Sequence, residues 1–403
     1  MMNKTMMTCA LALFGAGTFA TGQQAAPVNK TTPLAVTAKA GKKDDRAVIQ
    51  LAILLDTSSS MDGLINQART YLWKIVNEMT LARQNGKLPH IQIALYEYGN
   101  DRLPSVSTWI RQVTPFTDDL DKVSDELFKL KTYGGTECCG AVIARSVKDL
   151  AWNLEDKDAL KMIFIAGNEP FNQGEVPYAS AIAGGLKNGI TVNTILCGSG
   201  YDQEGWKDGA KKGDGSFIMI DHNATPPDPE TPFDKEMTDL GASLNGTYLA
   251  YGSLSKQEKV AGLQMAQDVN AKKMAPAAAI GRVQTKANTL AYNNASWDLL
   301  DRMEKDGVAV VAELKASGDL PRELQGKSDK EIEDVLKAKV VERGKLQTKI
   351  NGLSKQRDEW IAKWKKENAA KGVKQNTLDD AIIQAVRGQA GKRNFSFAEQ
   401  GGK

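Results

Sequence analysis

Histidine is almost missing from this sequence: His90 and His222 are the only two in 403 residues. Each borders an apolar run that reads as a strand, and no G-x-S-x-G turn surrounds any serine. A histidine-assisted serine nucleophile is therefore excluded. Cysteine is nearly as scarce, with Cys9, Cys138, Cys139 and Cys197 alone. No C-x-x-C pair occurs, which argues against a structural zinc centre. No glycine-rich turn ends in Lys-Ser or Lys-Thr, so no phosphate loop is encoded. Past the N-terminal segment no apolar run reaches the ~18 residues of a membrane-crossing helix. A net charge of +3 points to no nucleic-acid partner.

What is present begins with a leader-like segment. Thr8 to Ala20 is apolar but short and glycine-containing, and Thr18, Ala20 and Gly22 are small residues suited to cleavage. Residues 1–22 are expected to be a signal peptide, and the protein exported, periplasmic or secreted. Residues 23–46 read as a polar, flexible linker. An oxidising compartment then allows one disulfide among the three later cysteines. Charge divides the rest. Residues 1–252 carry 24 Lys/Arg against 29 Asp/Glu, and residues 253–403 carry 28 against 20. The basic second part reads first as a lysine-rich solvated helical face, with an acidic surface as the functional alternative.

Two domains are expected, at 47–252 and 253–403. In the first, continuous apolar runs (AVIQLAILLD, HIQIALYEYG, LKMIFIAG, ITVNTILCG, GSFIMID) alternate with helical periodicities, and STWIRQVTPFT reads as a short partner strand. This is α/β: a doubly wound, mostly parallel sheet with helices on both faces, whose ligands sit at the carboxyl ends of the strands. The second part is all-α. Pro276 breaks or kinks its first helix. Ser328 and Glu331 have capping-box spacing, and Leu346, Ile350, Leu353, Arg357, Trp360 and Trp364 form a short heptad-type seam. That seam suits a helical hairpin better than a long coiled coil. Thr377 and Asp380 start a last amphipathic helix. Trp297, Trp360 and Trp364 read as interhelical core, and Asp221 and His222 as polar rim residues.

The informative stretch is LAILLDTSSSMDG, where a buried strand runs into Asp56, Ser58 and Ser60. An aspartyl nucleophile of phosphatase type would have a second aspartate where Ser58 stands. Two readings remain. The carboxylate and alternate hydroxyls can face one hard cation, or the same residues can cap the following helix.

Asp-x-Ser-x-Ser at this place, with Thr136 in YGGTECCG before another helix, resembles the von Willebrand factor type A domain and its metal-ion-dependent adhesion site. The resemblance covers about half the chain. It implies Mg2+, or Mn2+ or Ca2+, held by Asp56, Ser58, Ser60 and Thr136. The family's further aspartate is replaced by Gly167 in IFIAGNEPF, which weakens the implied cation; Asn168 or Glu169 then supplies oxygen directly or through water, and Glu137 is near. The wording ECCG, GNEPFNQG and NTILCG also resembles an uncharacterised group of exported bacterial proteins with this domain. In the helix after Thr136, Cys139 falls on the sheet-facing stripe and Cys138 on the wet face. Cys197 ends a strand at the same edge, so a Cys139–Cys197 disulfide is expected.

The resemblance implies a protein-binding module, not an enzyme, that accepts a carboxylate from a partner protein at an open cation position. The alternatives are a metal-independent structural scaffold of an envelope complex and, with few acid–base groups nearby, a metal-dependent hydrolase.

Overall fold

The computed structural model describes residues 46–199, 202–224, 229–368 and 377–397. The expected signal peptide and all but the last residue of the linker lie outside the described residues. Strand β1 (Val48–Asp56) lies between two parallel partners, β3 (His90–Tyr98) and β5 (Leu160–Gly167). Beyond β5 follow β6 (Ile190–Cys197) and β7 (Phe217–Ile220), also parallel. The partner strand β4 (Ile110–Thr117) closes the other edge antiparallel to β3, giving the order β4-β3-β1-β5-β6-β7. The expected doubly wound, mostly parallel sheet is what forms.

Burial on both faces explains the unbroken apolar runs. In β1, Ile49, Leu51, Ile53 and Leu55 join one core, with α1 (Asp62–Met79) and α2 (Leu120–Lys129). Ala52 and Leu54 point the other way, into a core shared with α3 (Cys139–Asp149), α4 (Tyr178–Lys187) and α5 (Gln203–Lys212). The chain leaves β1 toward β3 on one side and enters β5 on the other, so the carboxyl ends of β1 and β5 border the crevice where such sheets bind ligands.

A helical region follows α6 (Asp234–Asn245). Helix α7 (Leu254–Met274) ends at an extended Ala275, and Pro276 is the first residue of α8 (Pro276–Ala287). The expected break has its physical cause there: proline pushes the preceding residue out of the helical region and is itself suited to a helix start. Short α9 (Leu299–Asp306) and α10 (Val310–Ser317) precede the long α11 (Asp329–Asn368). Its capping box forms, Ser328 N–H donating to Glu331 (2.8 Å) and Glu331 N–H to Ser328 Oγ (3.4 Å). Of the heptad-type seam, Leu346, Ile350 and Leu353 pack with residues of α6 and α8, and Arg357 pairs with Asp234 at 2.8 Å. Finally α12 (Leu378–Ala390) returns to the sheet, where Leu378, Ala381, Ile382, Ala385 and Val386 join the α1 core. The short β2 (Ala82–Gln84) pairs antiparallel with β8 (Phe395–Phe397). Among the described residues no helix is long and apolar enough to cross a membrane.

Candidate metal centre at the carboxyl edge

Asp56 is the last residue of β1 and is paired in register with Tyr98 of β3. Its Oδ1 accepts the Ser58 N–H at 2.7 Å, which turns the chain back on itself. The Ser58 and Ser60 hydroxyls then lie 3.5 Å apart, and Asn168 donates from Nδ2 to Ser60 Oγ at 3.1 Å. The loop before α3 is tied to this turn by two backbone bonds, Tyr133 N–H to Thr57 O (3.0 Å) and Ser59 N–H to Gly134 O (2.9 Å). Half-buried Thr136 follows. The ends of β1 and β5 and the start of α3 therefore meet at one place. The cap reading is settled: the N-cap of α1 is Met61, and no side chain caps that helix.

The electrostatics of the place are unbalanced. Asp56 is fully buried, and its Oδ2 has no hydrogen-bond partner. Burial pushes its carboxyl up to about 8, with the fields of Glu137 and Glu169 adding and the Ser58 N–H opposing. Glu137 is pushed up to about 7, by burial first and then by Glu169. Two further buried polar atoms beside the turn lack partners, Asn168 Oδ1 and His222 Nδ1. Burial lowers the His222 pKa. Such orphans are rare in folded proteins and mark a missing ligand, ion or water. Among the described residues no three carboxylate, imidazole or thiolate side chains are grouped to hold an ion by themselves, so hydroxyl and amide oxygens have to contribute.

Gly167 has a structural reason. A Cβ there would lie 2.5 Å from Tyr98 Oη and 3.1 Å from Asp56 Oδ2. The Tyr98 hydroxyl, donating to Ala166 O at 3.0 Å, fills the space a β5 aspartate would use. Gly167→Asp is accordingly expected to destabilise the protein by about 1–3 kcal/mol through overpacking, with part recovered by adding Tyr98→Phe. Urea midpoints of the two variants measure it; a neutral single variant would disprove the steric account.

The expected residues separate as follows. Asp56, Ser58, Ser60 and Asn168 come together, and Thr136 follows Gly135, whose position borders Ser58. Glu169 is close enough to act on both carboxyls, and its backbone carbonyl accepts the Trp206 indole N–H at 2.9 Å. The Cys139–Cys197 disulfide does not form: Cys138, Cys139 and Cys197 are all free and buried. Cys197 belongs to the α1 face of the sheet and Cys139 to the opposite face, so the sheet separates them. Nor is Cys138 wet, since the chain at Gly174 covers it. Sequence reasoning missed Tyr98 as a site residue and left His222 on the rim. The adjacent Tyr98-Gly99 at the end of β3 was the available signal.

The D-x-S-x-S turn, the Gly-Gly-Thr segment and this strand order make the fold von Willebrand factor A-like. No family model matches the chain, and no curated protein does. Among solved structures it is similar to a von Willebrand factor type A protein from Catenulispora acidiphila, at 14% identity, covering 43% of this chain and 39% of that one, with a TM-score of 0.34. It is also similar to conserved hypothetical protein BatB from Bacteroides thetaiotaomicron (13% identity, 54% of this chain, 98% of that one, TM-score 0.34). A third is proximal thread matrix protein 1 from the mussel byssus, with a zinc-occupied MIDAS motif (15% identity, 43% of this chain, 42% of that one, TM-score 0.34). The match spans well under half the length of the Catenulispora and mussel proteins.

Proposed function

We propose that this chain is an exported, non-enzymatic protein-binding module whose carboxyl-edge site takes a divalent cation and, through it, a carboxylate of a partner protein. The observation that carries the reading is Asp56 Oδ2, a fully buried carboxylate oxygen with no hydrogen-bond donor. Ionising a carboxyl buried in that way is costly, and a cation at the free oxygen offsets that cost. Asp56, Ser58, Ser60 and Thr136 would hold the ion, with Asn168 Oδ1 as a further oxygen. Carboxylate, hydroxyl and amide oxygens are hard donors and suit Mg2+ or Mn2+ over softer metals. When bound, the ion supplies an electrophilic position for an incoming Asp or Glu.

Calorimetric titration of Mg2+ or Mn2+ into the protein and into Asp56→Ala tests this. A saturable heat in the wild type and its loss in the variant are expected. Equal heats in both would remove the site.

A further inference from the structure

Resting on the cation reading above, we infer that Glu137 is a direct ligand of the ion and replaces the carboxylate that Gly167 lacks. Two glycines frame its side chain. Gly99 has φ +76°, and a Cβ built on it would lie 2.8 Å from Glu137 Cγ and 3.0 Å from Asp56 Oδ1. A Cβ on Gly135 would lie 2.2 Å from Glu137 Oε1 and 3.3 Å from Ser58 Cβ. Both positions are kept free of side chain, and the Glu137 side chain occupies the room, beside the Asp56 carboxylate and Ser58. The backbone there is held by Glu137 N–H donating to Gln173 Oε1 at 2.9 Å.

This is a poor place for a glutamate with only a packing role. Glu137 is 4% exposed and stands beside a second carboxylate that is fully buried. Among the described residues neither carries an ion pair to a lysine, arginine or histidine. Two buried carboxyls side by side do not both ionise unless a cation stands beside them. The unpartnered Asp56 Oδ2, on the Gly167 side of the same carboxylate, is an independent sign that a positive group belongs at Asp56. The pair Tyr98-Gly99 then has one logic. Tyr98 closes the position over Gly167, and Gly99 opens the position for Glu137. The second acid has moved from the end of β5 to the start of α3.

The test is Mn2+ titration of the full chain by calorimetry, for wild type, Glu137→Gln and Glu137→Asp, with melting of each in chelator. Glu137→Gln should weaken Mn2+ more than about 10-fold, the lower edge of what even an outer-shell partner contributes. In chelator it should melt at or above the wild-type temperature, because one of two crowded buried carboxyls is gone. Glu137→Asp should retain part of the affinity. If wild type binds Mn2+ and Glu137→Gln binds it within threefold, Glu137 is not a ligand and the cation reading stands. If wild type takes up no ion, the cation reading falls and this inference with it. A Glu137→Gln protein that is unfolded or melts lower in chelator makes Glu137 a structural residue and overturns the inference.

Discussion

In chelator, the protein is expected to lose stability steadily as pH rises from about 4 to about 8, and Asp56→Asn should remove most of that loss. The folded Asp56 carboxyl holds its proton up to about 8, against an ordinary value of 3.8. Within that window the folded state keeps a proton that the unfolded chain has released, so unfolding becomes easier with rising pH. The contribution is fully present below the unfolded value and is gone once pH passes the folded one. At about 1.4 kcal/mol for each pH unit crossed, the loss over the window is on the order of 5 kcal/mol. Ser58 relieves the carboxyl only in part, while the two acids Glu137 and Glu169 press the same way as burial, and the Tyr98, Cys139 and Cys197 side chains around it are neutral. Glu137, pushed up to about 7, adds a slope of the same sign that survives in the variant. Urea unfolding at pH 5 and pH 8 reads the effect. Saturating Mn2+ should flatten the wild-type profile, since the ion favours the ionised carboxyl. Parallel profiles for wild type and Asp56→Asn in chelator would refute the burial argument.

The parts of this architecture legible in the sequence are those that local chemistry decides. A strand buried on both faces announces itself as a continuous apolar run, and β1, β3, β5 and β6 are all of that kind. The Asp56 turn was legible because its oxygens lie within five residues. Tyr98 over Gly167 was not, because that contact needs the register of β3 against β1 and of β1 against β5. The disulfide failed for a related reason. Cys197 shares its strand face with Ile195, but periodicity alone cannot say that α3 covers the other face. Helix α12 shows the same limit. Its amphipathic stripe was evident from Leu378 onward, yet nothing local says that the stripe returns more than 300 positions to α1 and there completes the core of the first sheet.

That return leaves the helical region between the start and end of one core, and buried charge fixes it there. Replacing Arg282 by alanine is expected to cost about 3–5 kcal/mol in urea unfolding, the range for stripping one partner from a buried ion network. Arg282 is 1% exposed, yet it comes from α8 and reaches Asp121 of α2 and Asp268 of α7, with its guanidinium 4.7 Å from the centre of the Trp73 ring of α1. Asp121 also accepts the Tyr292 hydroxyl at 2.5 Å. Without the guanidinium, Asp121 remains buried and uncompensated where four helices meet. The double variant Arg282→Met with Asp121→Asn should recover much of the loss, because it removes both charges and keeps the volume near Trp73. If alanine alone costs less than about 1 kcal/mol, the value of a surface pair, then packing alone holds these helices. The large value would mean that α7 and α8 cannot leave α1 and α2 without exposing a matched set of charges. In that case the Asp56 edge of the sheet and the basic helical region move as one body.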